Sequence, residues 1–388
     1  MRNILLIILF LTFGFKPFAQ SLSDLSFGTD STFEVMTWNI EHFPKNGQTT
    51  IDSLIQIIRA LDIDVIALQE IDDKVHFVQL RDSLNLYGWS GYFVDSEYSG
   101  LAYFYKTDEI ESVTIFEIYT TLWTEFPRAP LMMEMKFKNE NLTIINNHFK
   151  CCGNGILEIN NSNDEETRRL NASKLLDQYV NENYPNDRVI ILGDLNDIIT
   201  DSKNNNVFVP FIDNPKSYLF ADMDIAEGSN TNWSYPSWPS HIDHILITNE
   251  LFEAFADNTS LIETIQIDNY LQGGMNKYDD IISDHRPVAM KISNQKITAA
   301  IDFSISKNKL INYPNPFQNS TTILFNPANE NTRIEIYNLN GYKIESFTVD
   351  RNQSSIIWET VNKPSGIFYA KLFEGNKIRA TKKMVLLK

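Results

Sequence analysis

Cysteine is nearly missing from this chain: there are two in 388 residues, and they are neighbours, Cys151 and Cys152. That excludes a fold stapled by loop-closing disulfides, and adjacent cysteines lack the paired spacing of a zinc site. A vicinal disulfide, two free thiols and pairing between molecules stay open, with a local feature of the loop as the plainest reading. A membrane-length apolar run is also missing from the N-terminus. Ile4–Phe15 has 12 apolar-run residues, short of the ~20 that span a bilayer. With Arg2 before it and Phe18-Ala19-Gln20 after it, the stretch reads as a signal peptide over residues 1–20. Export is expected, with no stable membrane span. Basic charge is scarce too. Residues 21–309 hold 21 Lys and Arg against 44 Asp and Glu, a balance of −23, whereas residues 310–388 carry ten against six, or +4. So acidic a body repels polyanions and argues against a pure nucleic-acid-binding module. Action on nucleic acid would need a local basic patch or a bound metal.

What is present is an ordinary globular composition, 43% apolar and 21% charged, long enough for two or three domains. Residues 31–293 alternate apolar runs with polar loops, as a large α/β domain does. Phe33–Trp38, Asp64–Leu68, Leu101–Tyr105, Leu131–Phe137, Leu142–Asn146, Arg188–Leu192, Ile242–Thr248 and Pro287–Ile292 read as strands. Several are continuous apolar runs, which suits strands covered on both faces. Ile51, Leu54, Ile55, Ile58 and Leu61 sit at helical spacing behind a cap at Thr49 or Thr50, and Glu165–Asn183 is a second helix. Residues 294–309 read as a linker. Residues 310–388 change texture to short strands separated by turn signals such as Asn340-Gly341 and Pro364-Ser365-Gly366, the pattern of a small all-β sandwich. They contain no histidine and no catalytic cluster.

One pattern recurs in the larger domain: a β-like run ends in a polar, metal-capable residue. Val35–Trp38 leads to Asn39, Val65–Gln69 to Glu70, Ile144–Asn147 to His148, and Val189–Gly193 to Asp194 and Asn196. His241-Ile242-Asp243 and Ser283-Asp284-His285-Arg286-Pro287 lead into later strands. Ligands gather at strand ends in such sheets, so these side chains could share one cleft. Each alone has a bland explanation as a turn or capping residue. As a set, Glu70, Asp284, Asn39 and Asp194 are the types that suit a hard cation such as Mg²⁺, which needs few protein carboxylates.

Thr37-Trp38-Asn39-Ile40, Leu68-Gln69-Glu70, Asn147-His148, Gly193-Asp194-Leu195-Asn196-Asp197, Ile242-Asp243-His244-Ile245 and Ser283-Asp284-His285-Arg286-Pro287 resemble, in order, the motifs of the endonuclease/exonuclease/phosphatase family. The resemblance implies a DNase I-like four-layered α/β sandwich over residues 31–293 and a phosphoric ester hydrolase using Mg²⁺, with Mn²⁺ or Ca²⁺ as alternatives. It implies Glu70 as principal metal ligand with Asn39 and Asp284 beside it. His285 and Asp243 resemble the family's His–Asp pair. Asp194 and Asn196 resemble the residues that position the attacking water and phosphate, and His148 resembles the histidine that stabilises phosphoryl oxygens. Arg128, before a strand, resembles an arginine that contacts phosphate in some members; the competing reading pairs it with a surface carboxylate. Protonated His148 and His285 would both add charge stabilisation. In the family a glutamate supports the equivalent of His148; the matching stretch here is Ser96-Glu97-Tyr98-Ser99-Gly100, with the partner left open. His241 and His244, expected on opposite faces of a strand, are read as structural.

Asn312–Phe317, Ile336–Gly341, Gly366–Ala370 and Thr381–Lys388 resemble a type IX secretion system sorting domain of the A type. That implies delivery by the type IX machinery to the outside or the cell surface. The leading reading is a secreted, monomeric, metal-dependent phosphodiesterase acting on nucleic acid as an endonuclease. The alternative is a small-substrate or lipid phosphoesterase, sphingomyelinase-like or inositol-phosphate-acting, which the acidic body favours. A catalytically dead binding protein is a third reading, opposed by the presence of every motif residue.

Overall fold

The computed structural model describes residues 21–94, 100–294, 310–325 except 314 and 316, 332–360 except 352 and 354, and 363–387 except 376. The expected signal peptide, the expected linker beyond residue 294, Ser96–Ser99, and Pro314 and Pro316 of the C-terminal motif lie outside the described residues.

Among the described residues, twelve strands and four longer helices build the larger domain: β1 (Thr32–Phe43), α1 (Gln48–Leu61), β2 (Val65–Ile71), α2 (Lys74–Asn85), β3 (Trp89–Phe93), β4 (Gly100–Lys106), β5 (Ile110–Glu117), β6 (Leu131–Phe137), β7 (Glu140–His148), α3 (Glu165–Asn183), β8 (Val189–Asp194), β9 (Tyr218–Phe220), β10 (Asp243–Thr248), β11 (Leu261–Thr264), α4 (Gly274–Ile281) and β12 (Val288–Ser293). They form two six-stranded sheets, ordered β11-β12-β1-β2-β4-β3 and β5-β6-β7-β8-β10-β9. β1 runs parallel to β2 and β7 parallel to β8; β12 returns antiparallel to β1, with Thr32 opposite Ser293.

Strand parity explains the layers. Along β1, Phe33 and Val35 enter the core between the sheets with Leu131, Met133, Ile144, Ile190 and Ile245. Met36, Trp38 and Ile40 point the other way, into a core shared with Ile51, Leu54 and Ile58 of α1 and with Phe77 of α2 and Tyr278 of α4. On the second sheet, Met132, Ile145, Val189, Ile191 and Leu246 pack under Leu170, Leu176 and Val180 of α3. The result is helix, sheet, sheet, helix, the four-layered α/β sandwich of the DNase I type.

Both predicted helices form, and α3 has the predicted bounds, with the Asp164 carboxylate accepting from Thr167 N–H at 2.8 Å as its cap. The start of α1 differs from expectation. Its N-cap is Gly47 (φ 52°), and no threonine caps it. The Thr50 hydroxyl instead donates to the Ile281 carbonyl at 2.7 Å and accepts from Asn46 N–H at 2.8 Å, docking α1 on the end of α4.

Where the inter-sheet core approaches the strand ends it becomes polar. Gln69 Nε2 donates to Asn146 Oδ1 at 2.7 Å, and Asn146 Nδ2 donates to the carbonyls of Leu68 and Ala102 at 3.0 and 3.1 Å. Thr37 joins through Gln69 at 3.1 Å. All three side chains are buried. Buried amides are costly unless paired, so this layer sets the spacing of the sheets directly beneath the strand ends.

The smaller unit has β13 (Leu310–Tyr313), β14 (Ser320–Phe325), β15 (Thr332–Asn338), β16 (Lys343–Thr348), β17 (Ser355–Glu359), β18 (Gly366–Glu374) and β19 (Lys377–Leu386). Sheets ordered β13-β14-β17 and β16-β15-β18-β19 enclose Ile323, Ile334, Ile336, Trp358, Phe368 and Met384, the expected all-β sandwich. No helix among the described residues is long and apolar enough to cross a membrane.

Candidate active site

One oxygen organises the strand ends. Asp194 Oδ2, at the end of β8, accepts from Asn39 Nδ2 at 3.0 Å and lies 3.5 Å from His148 Nε2 and 3.9 Å from His285 Nε2. Asn39 comes from β1, His148 from β7 and His285 from the approach to β12, so both sheets contribute. Asp194 reaches this position because Gly193 before it has φ +143°, and a Cβ there would lie 1.9 Å from the Asn147 carbonyl. Only glycine permits that approach. Asp194 Oδ1 accepts from Asn196 N–H at 3.0 Å, and Asn196 Nδ2 donates to the Phe149 carbonyl at 3.2 Å.

Glu70 stands beside this group. Its Oε1 accepts from Asn39 Nδ2 at 3.1 Å and lies 3.8 Å from His148 Nε2; its Oε2 accepts from His42 N–H at 3.1 Å. Glu70 and Asn196 both adopt left-handed backbone, φ 63° and 54°; asparagine tolerates that region readily, whereas glutamate seldom enters it. Asn39 turns its amide nitrogen toward the two carboxylates, because its oxygen accepts from Glu41 N–H at 3.0 Å. Asp284 sits across the group, 3.9 Å from His285 Nε2, with its N–H donating to Glu41 Oε2 at 2.9 Å.

The His–Asp pair is formed: His285 Nδ1 is 2.8 Å from Asp243 Oδ2. Ser283 Oγ fixes the segment from both sides, donating to the Asn39 carbonyl at 2.7 Å and accepting from His285 N–H at 2.9 Å. The Tyr235 ring packs 4.8 Å from the imidazole. Burial works against the His285 cation, but the charges of Asp243 and Asp194 outweigh it and push the group up to about 10. His285 therefore carries its proton. His148 does not: burial, then the Arg128 charge, holds it well below the usual histidine range. Of the two histidines His285 is the cationic one, and Arg128 supplies a second positive charge near the site. No carboxylate among the described residues pairs with Arg128, whose Nε is buried and unpartnered. His148 Nδ1 is likewise unpartnered among the described residues. Burial raises Asp194 to about 7 and Asp284 to about 6, His285 pulling each partly back.

This donor set fits a divalent cation. Glu70 and Asp284 are oxygen donors with side chains 16% and 24% exposed, so they border solvent, and the raised carboxyls of Asp194 and Asp284 are what a dication relieves.

His241 and His244 do not lie on opposite faces. β10 starts only at Asp243, so His241 precedes the strand, and both rings turn onto buried Asp222, at 3.0 and 2.6 Å. Asp222 Oδ1 accepts from Ile245 N–H at 3.0 Å, and His244 Nε2 meets the Asp197 carbonyl at 2.9 Å. Every ring nitrogen is engaged, since Ser234 N–H donates to His241 Nδ1 at 3.3 Å. The structural reading of both histidines agrees with this closed network. Arg286, within a site motif, points away and forms a bidentate pair with Asp268 at 2.8 Å for each bond.

Sequence reasoning missed Glu41, Tyr235 and the Gln69–Asn146 bridge as parts of the site. Gln69 and Asn146 had a readable signal, amides inside otherwise apolar strands; Glu41 and Tyr235 had none.

The family model described as "Endonuclease/Exonuclease/phosphatase family" matches residues 36–285, and that of a "Secretion system C-terminal sorting domain" matches residues 312–387. No curated protein matches the chain by sequence. Among solved structures, the chain is similar to D. rerio TDP2 complexed with single strand DNA product, with TM-score 0.51 and 14% identity over 68% of this chain and 100% of that one. An AP endonuclease from Archaeoglobus fulgidus gives 0.48 and 13% over 66% and 98%. The human Nocturnin catalytic domain with bound sulfate anion gives 0.47 and 16% over 68% and 94%.

Proposed function

Because the chain belongs to the endonuclease/exonuclease/phosphatase family and is a metal-dependent phosphoric ester hydrolase, we propose that it is a secreted, monomeric phosphodiesterase that cleaves nucleic acid internally. The observation that carries this reading is the convergence of Asn39, His148 and His285 on one oxygen of Asp194. Asp194, raised to about 7, is suited to take a proton from the attacking water near neutral pH. His285, protonated and steered by Asp243, faces the charge that builds on the phosphoryl oxygens, and Arg128 beside His148 adds to it. Asn196 orients the incoming water and phosphate. Mg²⁺ held by Glu70 and Asp284, with Asn39 beside them, would supply positive charge against the developing phosphoryl and leaving-oxygen charge.

In this proposal residues 1–20 are a removed signal peptide, 31–293 the catalytic unit, 294–309 a linker and 310–388 the address for type IX secretion. The −23 balance of residues 21–309 favours a second reading, a phosphoesterase for small or lipid substrates. Purified protein incubated with plasmid DNA, RNA, sphingomyelin and bis-p-nitrophenyl phosphate, with and without Mg²⁺, separates them. Mg²⁺-dependent nicking of plasmid is the expected result. Hydrolysis of sphingomyelin with DNA and RNA intact would transfer the assignment to the second reading.

A further inference from the structure

β7 ends at His148, and the chain leaves through Lys150-Cys151-Cys152-Gly153. One buried cation grips this loop. Arg169 of α3 donates through Nη1 to the carbonyls of Lys150 at 2.7 Å and Cys152 at 2.9 Å, on either side of the peptide that joins the cysteines. Its Nε donates to Asp197 at 2.8 Å. Phe149, next to the loop, donates its N–H to the Asp194 carbonyl at 3.0 Å and accepts from Asn196 Nδ2. The backbone around the cysteines is thus tied at three points to the segment carrying Asp194 and Asn196.

The two sulfurs already meet. Cys152 Sγ donates to Cys151 Sγ at 2.8 Å, and Lys150 Nζ lies 3.8 Å from Cys151 Sγ. Both are free thiols; Cys152 is exposed and Cys151 half-buried. Adjacent Cα atoms sit about 3.8 Å apart across a trans peptide, closer than the ~4.4–6.8 Å of ordinary disulfides. Bridging neighbours therefore requires the intervening peptide to rotate, and here both flanking carbonyls belong to Arg169.

We propose that Cys151 and Cys152 form a redox-modification site, oxidised by a small extracellular disulfide to a vicinal disulfide that loosens the Arg169 grip and slows turnover. Cys151, whose sulfur accepts from Cys152 and faces the Lys150 ammonium, gives its proton to solvent and attacks one sulfur of the reagent R–S–S–R. That reagent bond breaks, leaving Cys151–S–S–R and one R–S⁻. Cys152 acts second, because donating to Cys151 holds its thiol up. It loses its proton, attacks the Cys151 sulfur and expels the second R–S⁻. The two thiolates take up two protons; the protein loses two electrons and the reagent gains them. The sorting domain fits this chemistry, since a secreted chain works outside the reducing cytosol. A ring of two residues closes almost no chain, so the bridge adds little stability to offset the lost grip.

Full-length protein, reduced with a phosphine and then exposed to oxidised glutathione, tests this by intact mass, thiol count, melting temperature and turnover of bis-p-nitrophenyl phosphate. The expected product lacks two hydrogens and both free thiols, carries no glutathione, melts lower and turns over about tenfold more slowly. Phosphine should restore it, and a variant with Cys151→Ser and Cys152→Ser together should not respond. A persistent glutathione adduct, a disulfide-linked dimer or unchanged thiols would overturn the bridge. A bridge that leaves melting temperature unchanged would overturn its link to Arg169. Mass and melting are independent of the ester chosen, so inactivity of the reduced protein toward the diester counts against the function above and not against the site.

Discussion

Burial acts on His148 and His285 alike, yet their charges differ because their neighbours do. His285 faces Asp243 at 2.8 Å and Asp194 at 3.9 Å, whereas His148 is held down first by burial and then by the Arg128 cation. Asp243 and His285 should therefore act as one unit. Asp243→Asn and His285→Ala are each expected to lower kcat by roughly 10²–10⁴, with the double variant little worse than the poorer single. Losses that multiply in a three-variant kcat comparison would separate the two side chains. Glu70 belongs to the cation instead. Glu70→Gln should abolish turnover and shrink the rise in melting temperature that Mg²⁺ or Mn²⁺ produces, read by thermal melts with and without the ion. Glu70 was legible because it closes an apolar run, and Asp243 and His285 because each leads into one. Glu41 and Tyr235 were not, since Glu41 meets Asp284 across 243 positions and only the folded sheet brings Tyr235 onto His285.

At the scale of elements, the eight strands anticipated in the larger domain all form, while β3, β5, β9 and β11 were missed. Those four are the outer edges of the two sheets. An edge strand has one neighbour and partial exposure, so its sequence carries neither a buried run nor clean alternation; β5, Ile110–Glu117, buries only its first residue. α2 was missed for a related reason, with only Phe77, Leu80 and Leu84 buried. The central strands β1 and β2 hide a further cost at the end remote from the site. Glu34 and Asp64 are buried there, and Asp64 N-terminal to β2 is pushed up to about 8, first by burial and then by Glu34, with Lys106 offsetting part. A carboxyl raised in the fold contributes stability that is full below its unfolded value of 3.8 and is lost as pH climbs through about 8. Asp64→Asn removes that loss. It should raise the melting temperature at pH 8 by roughly 2–4 °C and leave it nearly unchanged at pH 4. Melts across that range decide it; a constant offset at all pH values would point to a packing effect.

For the whole molecule, charge and division of labour give two tests. Proteins that hold DNA by many phosphate contacts lose about 10³–10⁵ in affinity between roughly 50 and 200 mM salt. A body at −23 should behave oppositely: added salt screens its repulsion, so kcat/KM on plasmid should stay level or rise. A steep fall would reveal a basic track at the site that the net charge conceals. The sandwich of residues 310–388 was legible as short strands between turn signals, and it holds no histidine. A chain ending near residue 308 should keep its hydrolytic rate on bis-p-nitrophenyl phosphate and stay in the periplasm of the native host. Loss of that rate would make the sandwich part of the enzyme.

The pairing of β1 with β12 has a bearing on timing. Thr32 lies opposite Ser293, so the first strand of the larger domain is completed by its last, and Asp284 and His285 arrive only on the segment that leads there. A ribosome must finish some 260 residues between those partners before the pair can meet. A nascent chain that stops before Asp284 lacks the imidazole and one acid of the cleft. On the nuclease reading, chain order alone keeps an unfinished product from cutting nucleic acid. The cleft is complete only once both ends of the domain have been made and paired.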